Sequence, residues 1–98
     1  MIDQATREHV LALGREAHSI TETAYRANPA VKGAPGWEEK QRVLLADMSL
    51  HLLQSALQEG ELDTARLRDN LYAILTVAAP FLPAHDLAET AQRLLAIE

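Results

Sequence analysis

The chain has 98 residues, with 14 acids against 9 bases and no cysteine. That length allows one domain, which buries a little over roughly 60% of its unfolded-chain surface. A net charge of −5 with no basic cluster speaks against nucleic acid and anionic membrane as partners. The absence of cysteine removes disulfides, thiolate metal sites and cysteine nucleophiles together. "MIDQATREHV" has acids where a secretory leader would have a basic start and an apolar run, and no stretch reaches membrane-spanning length, so the expected compartment is the cytoplasm. Leu and Ala dominate the apolar residues, and only Tyr25, Trp37, Tyr72 and Phe81 are aromatic. This composition predicts an all-α fold, a compact bundle of four helices with the second central and most buried.

The first helix is expected over 4–27, capped by Asp3, with Val10, Leu13, Ala17, Ile20, Ala24 and Ala27 recurring at alternating spacings of three and four as its core face. A second stripe of Leu11, Gly14, His18, Thr21 and Tyr25 lies beside it. Gly14, unfavourable in a helix interior by about 1 kcal/mol relative to Ala, is best used if another element packs closely there. "NPAVKGAPG" forms the one long loop.

The second helix is expected over 37–59, with Glu38 and Glu39 suiting its N-terminal dipole and Gly60 stopping it. Its apolar residues cover an arc of roughly 260°, where an ordinary surface helix needs little over 100°. Lys40, Asp47, His51, Gln54 and Gln58 form the remaining polar stripe, which reads as the solvated face. Asp63 caps the third helix, 64–79, whose core stripe is Leu67, Leu71, Ile74, Leu75 and Ala78. Pro80 and Pro83 separate it from the fourth, 84–97, with an inner face of Leu87, Ala91, Leu94 and Leu95. Acid-to-Arg pairs at i,i+4 (Asp3 and Arg7, Glu22 and Arg26, Glu38 and Arg42, Glu89 and Arg93) agree with these assignments.

The letters "AHSI" at Ala17 to Ile20 resemble the start of the histidine phosphotransfer domain signature, in which a helical His is followed by Lys three residues later and Gly at the fourth. The resemblance covers four residues and implies a signalling bundle that accepts a phosphoryl group at His18. The chain departs from it where the chemistry is done. Thr21 stands where the cation would neutralise the phosphoryl oxygens, and Glu22 places negative charge where phosphate must approach.

A metal centre is the other chemistry the residues allow, because His18 and Glu22 are one turn apart on the first helix, as are Asp47 and His51 on the second. Two histidines and two carboxylates would hold zinc or iron if the pairs faced each other. The solvated-stripe reading turns Asp47 and His51 outward, so the expectation is no metal, no cofactor and no catalytic residue. His9 and His85 read as surface residues. "VKGAPG" lacks the spacing and terminal residues of a phosphate loop. What remains is contact. The apolar excess of the second helix predicts a homodimer or a helical partner, engaged through Leu11, Gly14, His18, Tyr25, Trp37, Leu50, Leu53 and Leu57. A groove along the same helix for a small apolar ligand is the third possibility.

Overall fold

A computed structural model of the chain describes residues 2–96. Four helices form: α1 (Gln4–Ala27), α2 (Trp37–Leu57), α3 (Thr64–Ala78) and α4 (Leu87–Ala96). Among the described residues there is no strand, and no helix is long and apolar enough to cross a membrane. Asp3 opens α1 by accepting the Thr6 amide at 2.7 Å; that backbone hydrogen bond, with a further one to the Thr6 side chain, holds the Asp3 carboxyl below its ordinary value. Asp63 caps α3 in the same way, accepting from the amides of Ala65 and Arg66 at 3.0 and 3.1 Å. α2 begins from Gly36, whose φ of 87° is a backbone state that favours glycine.

Three helix ends differ from the sequence reading, the smallest difference being α3, which stops at Ala78 rather than 79. α2 stops at Leu57 because Gln58 already has an extended backbone, with ψ at 154°. The expected fourth helix begins three residues late: Ala79–Phe81 and Pro83–His85 are single 3-10 turns, and Asp86 sits at φ 50° before α4 starts. Prolines three residues apart remove two amide donors, which leaves no room for a regular helix there. The expected last residue of that helix, at position 97, lies outside the described residues.

Each helix packs against the next in the sequence, and α1 makes at most marginal contact with α4. The helices are therefore laid out in a row rather than closed into a ring, giving a slab with extents of 45 × 34 × 18 Å. Its radius of gyration is 15.2 Å, against about 12.6 Å for a globular domain of this length. The accessible surface is 6749 Å², where a folded monomer of this mass exposes about 5,500 Å². Ala91 of α4 is the only fully buried apolar residue among those described. The expected all-α bundle of four packed helices is present, and its shape is flat. α2 lies between α1 and α3, yet its only fully buried residues are Asp47 and Ser55, and its leucines are half-buried.

The polar groups closest to solvent behave as surface charges do. Glu22 and Arg26 lie 3.7 Å apart and Glu89 and Arg93 3.6 Å apart, whereas Arg42 turns to Glu39 at 3.5 Å instead of to Glu38. Arg7 has a larger task than its expected pairing with Asp3. Its guanidinium donates to the Leu57 carbonyl at 2.7 Å, satisfying an orphan acceptor at the end of α2 and pinning that end to the first turns of α1.

Candidate functional site

The contact between α1 and α2 is made by the stripes that the sequence places outside the core. On α2 it is the polar stripe that turns inward: Asp47 is 5% exposed, and Lys40, His51, Gln54 and Gln58 are half-buried. On α1 the facing residues are Gly14, His18, Thr21 and Tyr25. Gly14 is buried, and a Cβ added there would come within 3.0 Å of Leu53 Cδ2, so the close approach it permits is spent inside the chain. Further along, the Lys40 ammonium lies 4.9 Å over the Tyr25 ring and donates to the Ala30 carbonyl at 3.2 Å. The reading of Asp47 and His51 as a solvated face is thereby corrected. Tertiary packing turns this polar stripe onto the polar groups of α1 instead of toward solvent.

At the centre of this seam three ligand-type side chains converge. His18 Nε2 lies 3.0 Å from His51 Nε2 and 3.4 Å from Asp47 Oδ1, and His51 Nε2 lies 3.6 Å from Asp47 Oδ2. The two imidazoles meet edge to face, with centroids 4.5 Å apart and planes at 80°. One-turn spacing sets each pair: Asp47 and His51 on α2, and His18 and Glu22 on α1, where Glu22 Oε2 lies 3.9 Å from His18 Nε2. Thr21 Oγ1 stands 2.6 Å from Asp47 Oδ1 and 3.1 Å from the His18 carbonyl. Its single proton goes to the nearer acceptor, Asp47 Oδ1, which orients that carboxyl group. No buried side-chain polar atom among the described residues lacks a partner.

Phosphotransfer chemistry is poorly served here. His18 Nε2 points at α2, and the Asp47 carboxylate stands beside the nitrogen that would have to attack a phosphorus. Thr21, at the position of the missing cation, holds Asp47 instead of a phosphoryl oxygen.

The turn of α1 onto α2 leaves its other stripe free. Leu13 is 52% and Ile20 65% exposed, and Ala24 and Ala27 are exposed beside them. Ile20 and Ala24 line one wall of a groove of about 300 Å³, with Val43 and Ala46 of α2 on the other. A second hollow, of about 420 Å³, lies where Trp37 opens α2 beside Pro80 and Phe81 after α3. Trp37 is half-buried there, at one end of the slab. Leu11, Leu50, Leu53 and Leu57 are half-buried, and His9 and His85 are exposed. No protein-family profile, curated protein or solved structure matches the chain.

Proposed function

We propose that the protein works through protein–protein contact, as a homodimer joined by the free stripe of α1, rather than as an enzyme. The observation that carries this reading is the surface the chain leaves uncovered. Its excess over a compact monomer of the same mass is roughly 1,200 Å², and a stable interface needs about 800 Å² from each partner. A second copy accounts for that area.

The stripe has the pattern that a second helix requires. Val10, Leu13, Ala17, Ile20, Ala24 and Ala27 alternate in steps of three and four, the 3.5-residue repeat of a coiled-coil seam, with Val10 and Ala17 half-buried and the other four exposed. Its flanks carry His9, Glu16 and Thr23 on one side and Gly14, Thr21 and Asn28 on the other, with Glu16 the one acid among them, so two copies meet with little like-charge repulsion. The alanines let the backbones approach closely. A symmetric pairing of α1 on α1 closes on itself and leaves no free copy of the patch. α2 remains, in this reading, the central helix of each subunit.

Light scattering on the purified chain tests this directly. A dimer is expected at micromolar concentration, and Ile20→Asp is expected to halve the mass while the helical circular dichroism stays. A strict monomer at the highest soluble concentration would end the proposal, and so would a dimer indifferent to charge at both Leu13 and Ile20. Gly14, expected in the interface from the sequence, faces Leu53 of the same chain, so a substitution there does not probe the dimer.

A further inference from the structure

We infer that His18, Asp47 and His51 form a binding site for one first-row divalent transition-metal ion, zinc foremost, which ties α1 to α2. The inference rests on convergence. Each of the three residues offers a ligand atom, and these atoms lie within 4.8 Å of one another on two helices joined by one loop.

The spacings fit coordination as well as a hydrogen bond between the two rings. A tetrahedral ion bound at about 2.0–2.1 Å holds neighbouring nitrogen and oxygen ligands about 3.3 Å apart. The two Nε2 atoms lie 3.0 Å apart, and the carboxylate reaches each ring with a different oxygen, Oδ1 at 3.4 Å from His18 and Oδ2 at 3.6 Å from His51, all three contacts close to that value. Two Nε2 atoms facing each other can share only one proton, so in the empty seam one lone pair at most is used between the rings. An ion between them uses both, and takes the carboxylate as its third ligand. Glu22 lies close enough to complete the set by a side-chain rotation, and water would serve equally, since Glu22 and His51 form the open side.

The surroundings are those of a held site. Asp47 is nine-tenths buried, and Thr21 fixes its inner oxygen from the other helix, as outer-shell donors do for metal-bound carboxylates. Two imidazoles and a single buried carboxylate favour zinc, cobalt, nickel or copper over calcium and magnesium, which require sets of oxygens. The site also gives a reason for the polar seam. Leucines at positions 47 and 51 would join the helices by apolar burial, and they could not hold an ion.

The test is a titration of the tag-free, chelator-treated full chain with Co²⁺, then with Zn²⁺ to displace it. Expected are visible d–d bands of low-coordinate cobalt that saturate at one ion per chain, and a Tm that rises with zinc and falls back on adding chelator. His51→Asn and Asp47→Asn are expected to weaken binding by more than about 100-fold, and Thr21→Val by about 10-fold, the range found for outer-shell partners. His9→Ala with His85→Ala is expected to change nothing. The monomeric Ile20→Asp chain is expected to bind one ion as before, because the site is complete within one subunit. Circular dichroism accompanies every variant, and the wild-type titration decides by itself where a variant fails to fold. A folded wild-type chain without cobalt bands would overturn the proposal. So would bands that survive in His18→Ala/His51→Asn, bands lost with His9 and His85, or one ion per two chains.

Discussion

The α3–α4 pair and the α1–α2 pair bury opposite kinds of surface. α3 packs between α2 and α4 with its apolar stripe of Leu67, Leu71, Ile74 and Leu75 half-buried, and α4 packs on α3 with Ala91 at 0% exposed. Leu95, expected on the inner face of α4, is exposed instead, which narrows that face to Leu87, Ala91 and Leu94. Between α1 and α2 it is histidine, threonine, aspartate and lysine that meet, while Leu13 and Ile20 look outward. The first pair follows the ordinary rule, in which helices are held together by removing apolar area from water. The second departs from it, and its departure has two uses: a polar seam that converges ligand atoms, and a free apolar stripe for another chain.

That contrast breaks most easily at Ala91. Ala91→Asp sets an unpaired charge in the one fully buried apolar position among the described residues, and should lower unfolding stability by about 3 kcal/mol or more in urea titrations. A loss below 1 kcal/mol would mean that α4 does not pack on α3 in solution.

Gly14→Leu comes next, at about 1–3 kcal/mol, since the new side chain must displace Leu53 at the tightest point of the α1–α2 seam. The matching substitution on the free stripe, Ile20→Asp, should stay within about 0.5 kcal/mol when measured on the monomer. Were the two effects reversed, α1 would be packing through its Leu13 and Ile20 face, and the assignment of seam and stripe would be wrong.

Ser55 is a smaller lever. Its hydroxyl is buried and donates to Asn70 Oδ1 between α2 and α3, so Ser55→Ala leaves that oxygen without its donor and should cost about 1–2 kcal/mol. Adding Asn70→Leu should return part of the loss. Strict additivity of the two substitutions would show that the pair is not coupled.

The smallest effect belongs to the α1 cap. The Asp3 carboxyl is held below its ordinary value by the Thr6 amide, so its contribution is complete above the unfolded carboxylate pKa of about 3.9 and is lost as pH falls through the lower folded value. Asp3→Asn keeps a capping oxygen but removes the titration. The Tm difference between wild type and variant should shrink on acidification; curves that stay parallel through the acid range would show that Asp3 does not cap α1.

The sequence by itself determined the four helices and most of their starts. Asp3 and Asp63 stand where amides need an acceptor, Gly36 where φ must be positive, and the prolines at 80 and 83 where the helix has to break. These are local interactions, spanning at most a turn, so a linear reading captures them. Which face of a helix turns inward is not local. On α1 the sequence presents two stripes, one more apolar and one with a glycine, and apolarity alone favours the wrong one. Gly14 was the readable signal, because it marks close approach, but it cannot say whether the approaching helix belongs to the same chain. The candidate site illustrates the same limit: the one-turn spacings of His18 with Glu22 and of Asp47 with His51 are visible in the sequence, and their meeting is not. Only the rotation of α2 about its axis, set by Gly14 against Leu53, Arg7 against the Leu57 carbonyl and Lys40 against Tyr25, brings Asp47 and His51 onto His18 and decides that a polar stripe is an interior.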